Sequence, residues 1–268
     1  MKKKIGIILL LITLACSNVV FGASIVKTNT TFYNYSLSKL TNIQYGLNIA
    51  VTDVTGMWLK ANKAQIKNNV DPQSSQNIKS KYQFLKLNYT IGVSVNQVNS
   101  VLLNKGVLNK QGKTIITACK ANNVNPAYLV SHALLETGNG TSALSNGVIV
   151  TNINGKLVVP RVTFNLFGIG ATDANTVKLG SQYAYSNGWF SVDKALSGGT
   201  SWISKNYINN TTSEQNTLYK MRWNPNTTGT HQYSSDISWA SKQTVTVKAI
   251  TDKFTNTPQY FDVPKFAK

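Results

Sequence analysis

Apolar residues recur at helical intervals along several stretches of the 268-residue chain, and at strand-like density on both sides of one Asn-Gly pair. In "SVNQVNSVLLNKG", Val95, Val98, Val101 and Leu102 follow the helical period behind Ser94, which predicts a helix capped by that serine and stopped at Gly106. The best-marked helix lies in "NNVNPAYLVSHALLETGNGTSALS". Asn125 suits the N-cap. Pro126 suits the first helical position, where its missing N–H costs nothing, and Gly138 suits the residue past the end. Leu129, Ala133 and Glu136 fall on one face of it. An acid thus extends an apolar stripe instead of facing away from it.

The remaining pattern is less regular. Residues from Ser24 to about Thr31 are mostly polar, and "TFYNYSLSKLTNIQYGLN" mixes aromatics with helix-compatible residues. A short helix is predicted through "GMWLKANKAQIKNN", ending before the turn signal Asp71-Pro72, and "SKYQFLKLNY" is apolar enough for the core. "GVIVTNINGKLVV" is β-branched around Asn154-Gly155, the sign of a β-hairpin. "SVDKALSGGTSWISKNYI" predicts a helix behind Ser191, a break at Gly198-Gly199, and a second helix. No internal repeat or long linker interrupts this order. The expected fold class is α+β, mostly α, in one module with a small β-hairpin after the Glu136 helix.

Charge narrows the partners. Lys and Arg number 27 against 9 for Asp and Glu, a formal net charge of +18. Such a surface gathers polyanions: nucleic acid, anionic lipid or an anionic cell wall. The N-terminus "MKKKIGIILLLITLACSNVVFGAS" has three lysines, a short apolar run and small residues at Gly22 and Ala23, the pattern of a secretory signal. Its apolar run is too short to span a membrane comfortably. Cleavage after Gly22 would leave +15, from 24 basic and 9 acidic residues. Cys16 also sits in a poor lipoprotein box, Thr13-Leu14-Ala15-Cys16, so a lipid anchor is the alternative to ordinary export. Export points to an anionic wall and away from nucleic acid. Only Cys119 would then remain, so no internal disulfide forms. The two histidines, His132 and His231, stand too far apart in sequence for metal-ligand spacing, so no metal and no cofactor is expected. Nothing demands an oligomer, and a monomer is expected.

Pattern alone leaves Glu136 with two readings. A carboxyl beside apolar groups at a helix end has its charged form disfavoured, holds its proton and can pass it to a glycosidic oxygen. The other reading is an exposed glutamate at a frayed helix end.

Four blocks bear on that choice: "YLVSHALLETGNGTSALSNGV", "FNLFGIGATD", "GWFSVDKALSGGTSWISKNYI" and "QNTLYKMRWNP…GTHQYSSDISWA". They resemble, in order, the endo-β-N-acetylglucosaminidase autolysins (glycoside hydrolase family 73), and "YNYSLSKLTNIQYGLN" and "YQFLKLNYT" resemble the N-terminal part of clostridial members more loosely. The resemblance runs from about Tyr33 to Gln243. It implies a lysozyme-like fold of two lobes, an α lobe and a small β-hairpin lobe. It further implies hydrolysis of peptidoglycan glycan strands after N-acetylglucosamine, with Glu136 as catalytic acid. On that basis residues 1–22 form a signal peptide and 23–32 a tether. Residues 33–250 form the catalytic module (an N-terminal helical part over 33–104 and a core over 105–250), and 251–268 a tail.

The second catalytic group is the departure from the family. No acid lies between Glu136 and Asp173, so the β-lobe glutamate of some members is absent. Asp173 is the nearest replacement, and its alternative role is a turn or cap. Otherwise the substrate's own N-acetyl group assists, so one protein acid suffices. Tyr219 and Tyr233 are candidates to hold that group, Phe167 and Trp223 to line the groove, and Asn165 and Gln215 to bond acetamido groups; for each, packing is the competing role. His132, one turn before Glu136, either orients the groove or packs. Asp193, Glu214 and Asp236 read as a helix first-turn acid, a solvated acid and a structural acid. A lytic transglycosylase of the same fold and a non-catalytic wall-binding protein are the alternative functions.

Overall fold

The computed structural model describes residues 25–75, 80–172 and 175–268; the expected signal peptide with Cys16, and the candidate Asp173, lie outside these ranges. The chain opens with β1 (Val26–Ser36) and α1 (Leu37–Gly46), then a hairpin of β2 (Val51–Val54) and β3 (Met57–Lys60), then α2 (Lys63–Val70). After α3 (Val95–Val101) and α4 (Gly112–Ala121) comes α5 (Pro126–Glu136), the helix that carries the candidate acid. The turn α6 (Ala143–Asn146) leads to a second hairpin, β4 (Val148–Ile153) and β5 (Lys156–Thr163). Helices α7 (Thr176–Ser186), α8 (Val192–Ile203), α9 (Leu218–Trp223) and α10 (Trp239–Lys253) precede β6 (Gln259–Ala267). The architecture is mostly helical with small sheets, as a lysozyme-like fold requires.

Helix α5 is the axis of the core. Every residue from Pro126 to Leu134 is buried, including Ser131 and His132, so it is apolar nearly all round and α4 and α10 pack against it. Asn125 caps it as its sequence predicts, accepting bonds from the Ala127 and Tyr128 amides at 2.8 and 3.4 Å. Thr137 closes it by donating its hydroxyl to the Ala133 carbonyl, and Gly138 follows at φ +56.

Three local expectations differ from the structure. The tether and the tail are two halves of one sheet: β1 and β6 pair in parallel from Val26↔Gln259 to Phe32↔Lys265. The pairing is held by buried polar contacts that strand propensity does not show. Asp262 accepts a bond from Thr31 at 2.7 Å and an ion-paired bond from Lys220 at 2.7 Å. The helix expected through "GMWLKANKAQIKNN" begins only at Lys63, because Asn62 and Gln65 form a capping box there, while Met57–Lys60 is a strand. The break at Gly198-Gly199 does not occur, and α8 runs straight through it. A Cβ at Gly198 would collide with the Trp189 indole and one at Gly199 with the Phe167 ring. These glycines serve close packing, not a turn.

The Lys220–Asp262 pair ties α9 to the terminal sheet, with side chains 3% and 8% accessible. Burial by itself pushes the Asp262 carboxyl up, but the bond and charge of Lys220, with Thr31 and Lys86, outweigh it and hold the group below its ordinary 3.8. A depressed carboxyl adds stability above its ordinary value and loses it as pH falls through the folded value. Asp262→Ala, which strands a buried ammonium, is expected to cost about 3–5 kcal/mol at neutral pH. Thermal melts of both proteins check this, and the gap between them should shrink below about pH 4.

Candidate active site

Glu136 stands at the last turn of α5, where the helix leaves the core. Its backbone is exposed, but its side chain is only 29% accessible. The loop over residues 164–170 passes beside it. Gly168 sits there at φ +63, a left-handed backbone that favours glycine, and a Cβ on it would lie in ordinary contact, 3.7 Å from Glu136 Oε2. Burial pushes the Glu136 carboxyl up from 4.5 to about 7. Among the described residues no second carboxylate contributes to that shift.

Behind Glu136 lies an aromatic stack. The His132 ring is fully buried between Tyr128, at 5.4 Å and 15° between planes, and Phe167, at 5.8 Å and 18°. Burial lowers its pKa from 6.5 to about 4, so the ring is neutral at ordinary pH. Its Nε2 is 2.8 Å from the Tyr233 hydroxyl. Its Nδ1 has no hydrogen-bond partner among the described residues and lies 3.9 Å from Glu136 Oε1, beyond bonding reach. Tyr233 in turn packs on Tyr207 and Trp239, with ring centroids 5.0 and 4.7 Å away. Glu136, Gly168, His132 and Tyr233 therefore form one cluster. The sequence order of their blocks is compatible with it, but the Tyr233–His132 bond spans 101 positions and no local signal announces it.

Of the residues expected to touch substrate, Phe167 and Tyr233 come to this cluster. The other four do not act as free groove groups. Asn165 is buried and spends its amide inside its own loop: Nδ2 donates to the Ile169 and Gly180 carbonyls at 2.8 and 3.0 Å, and Oδ1 accepts from the Phe167 and Ile169 amides. It shapes the loop that presents Gly168. Gln215 is likewise committed, donating to the Met221 and His231 carbonyls at 3.1 and 2.9 Å and contacting His231 Nδ1 through its oxygen at 2.8 Å. Tyr219 is fully buried, with its hydroxyl donating to the Val70 carbonyl and its ring against Phe84. Trp223 is core as well, with the Arg222 guanidinium 4.0 Å from its ring centroid. For these four, packing is the role the structure gives. Asp193 begins α8 and accepts from Thr114 at 2.7 Å, and Asp236 pairs with Lys242 at 2.8 Å.

A raised carboxyl has a signature that needs no substrate. The Glu136 proton is favoured in the folded state, so wild-type stability is full below about pH 4.5 and declines as pH rises through 7. Glu136→Gln has no such proton to lose. The variant is expected to become the more stable protein between pH 4.5 and 7, by on the order of 1–3 kcal/mol at pH 8. Denaturant melts across that range check the sign, and an equal pH dependence of both proteins would contradict it.

A family model described as mannosyl-glycoprotein endo-beta-N-acetylglucosaminidase matches residues 112–252, which contain the whole cluster. The chain is 45% identical over 211 residues to a beta-N-acetylglucosaminidase of Bacillus subtilis (strain 168); the match covers 78% of this chain and spans 23% of that relative's length. Among solved structures it is similar to a major bifunctional autolysin, with 38% identity and a TM-score of 0.69, covering 91% of this chain and 100% of the other. It is also similar to a catalytic mutant of S. aureus autolysin E in complex with the disaccharide NAG-NAM, with 33% identity and a TM-score of 0.69, covering 87% and 98%. With sequence, fold and site in agreement, the chain belongs to the mannosyl-glycoprotein endo-β-N-acetylglucosaminidase family of glycoside hydrolases.

Proposed function

We propose that this chain is an exported peptidoglycan hydrolase that cleaves glycan strands after N-acetylglucosamine, with Glu136 as the general acid. The carrying observation is a carboxyl that burial keeps protonated to about pH 7 while it still reaches solvent at the helix end. An acid poised near working pH is the one best able to hand over a proton. The disaccharide and muropeptide bound to the S. aureus relative support a glycan substrate, and the signal-like N-terminus supports export.

In the proposed reaction Glu136 gives its proton to the glycosidic oxygen as the C1–O bond breaks. Positive charge then grows at C1 of the N-acetylglucosamine unit. Either the substrate's own acetamido oxygen closes on C1, or Asp173 supports that charge. Water next attacks C1, and the Glu136 carboxylate takes its proton back. His132, whose pKa burial lowers to about 4, is too weak a base to take this proton at ordinary pH. With the Tyr233 hydroxyl donating to Nε2, the proton on Nδ1 faces Glu136, ready to meet the carboxylate formed when the proton leaves. Phe167 fixes the His132 ring plane.

Glu136→Gln is expected to lower turnover by about 10²–10⁴-fold on purified peptidoglycan. In the wild type kcat/KM should fall as pH rises through about 7, because the acid form is then lost. Reducing the products and analysing them by mass spectrometry should show N-acetylglucosamine ends. Anhydro-muramic ends would identify a lytic transglycosylase instead, and unchanged wall clearing by the variant would leave a binding protein.

The excess of basic residues supports a role in holding the anionic wall, whether the enzyme is released or lipidated at Cys16. Raising ionic strength from about 0.05 to 0.5 M should therefore depress activity on whole walls more than on short neutral fragments, since exposed charges are screened. Equal loss on both substrates would count against charge-guided retention.

A further inference from the structure

The β2–β3 hairpin exposes an aromatic side chain for which the fold has no evident use. Trp58 is 60% accessible, on a two-stranded sheet too small to hold itself together. The hairpin is nevertheless tied to the active-site wall. Val51 exchanges backbone bonds with the segment around Asp236, donating to the Ser235 carbonyl at 3.0 Å and accepting from the Ile237 amide at 2.9 Å. That segment also carries Tyr233, whose hydroxyl contacts His132.

A cavity of about 170 Å³ is bounded by Ser131 and Leu135 of α5, by Asp236, and by Trp239, Lys242 and Gln243 of α10. Leu135 immediately precedes Glu136 and is itself exposed. Lys242 joins the cavity to the hairpin: its ammonium lies 5.1 Å from the Trp58 ring centroid, 2.8 Å from Asp236 and 3.9 Å from Asp53. Lys242 thus joins cavity and indole, and Leu135 places the cavity one residue from Glu136 along α5. The cavity has space for on the order of ten waters, enough for a sugar substituent.

We propose that Trp58 and this cavity form a distal sugar subsite, which binds an N-acetylated hexosamine of the same glycan strand some units away from the bond cleaved. The inference rests on the glycosidase reading and extends it to the polymer. The indole offers a flat apolar face to a sugar ring, and the cavity takes the acetamido or hydroxymethyl arm. The charge pattern selects the neutral sugar over an acidic stem peptide or a phosphate. The cation present, Lys242, is already met by two carboxylates and by the indole, so the patch offers an anion nothing unpaired.

The test is binding, in a Glu136→Gln background, of glycan strands stripped of stem peptides and sorted by length. Trp58 is on the surface, so Trp58→Ala is expected to keep the melting temperature, with Trp58→Phe as a partly stacking control. The expected result is a rise of about five- to tenfold in the ratio of Kd for strands of ten or more sugars to Kd for tetrasaccharides, with Trp58→Phe between the two. An unchanged ratio overturns the subsite. So does a Trp58→Ala loss that appears only in binding to anionic vesicles or in self-association, which would assign the hairpin to a membrane or a second copy. If strands bind both proteins alike, only the subsite falls. If no strand of any length binds either protein, the glycosidase reading falls with it.

Discussion

The structure depends on one opposition: a carboxyl pressed against a helix and an aromatic stack that disfavour its charge. Helix α5 is buried along nearly its whole length, and Glu136 is where it meets solvent. Everything around that point keeps the carboxyl from finding a cation. His132, the nearest basic side chain in contact, is made neutral by the same burial. Among the described residues no Lys or Arg forms an ion pair with Glu136, while Lys220 pairs with Asp262 and Lys242 with Asp236. A chain with 27 basic residues could easily have quenched this acid with a salt bridge. That it places an uncharged ring there instead is what leaves the proton available.

The supporting parts follow from that requirement. Asn165 saturates its own amide to hold the 164–170 loop, which carries the left-handed Gly168 beside the carboxyl. Phe167 and Tyr128 clamp the His132 ring from both faces, and Tyr233 fixes it from its edge. Gly199 lets α8 approach closely enough to seat Phe167. Glycines and amides thus set the geometry, and the Glu136 carboxyl only occupies it.

What could be read from the sequence was local. The caps at Ser94, Asn125 and Ser191 and the hairpin at Asn154-Gly155 appear where short-range chemistry places them, because a cap or tight turn is decided within four residues. Glu136 stood out because an acid on an apolar helix face breaks the pattern. What could not be read was long-range. The terminal sheet joins residues about 230 positions apart through Thr31, Asp262 and Lys220, and neither segment alone gives a sign of that partnership. The choice between groove and packing roles for Asn165, Gln215, Tyr219 and Trp223 is open in the sequence for the same reason, and the structure buries all four. Family-like blocks mark residues that matter, but only packing tells whether a side chain faces a groove or braces the wall behind it.

The most direct measurement uses the scarcity of glutamate. The chain has two, Glu136 and Glu214, so carboxyl-selective carbon labelling gives two signals, and the Glu136→Gln variant identifies one of them. Followed by NMR from pH 3 to 9, the Glu136 carboxyl should titrate with a midpoint near 7. A midpoint below about 5, the range of an ordinary solvated glutamate, would contradict the claim that burial holds its proton.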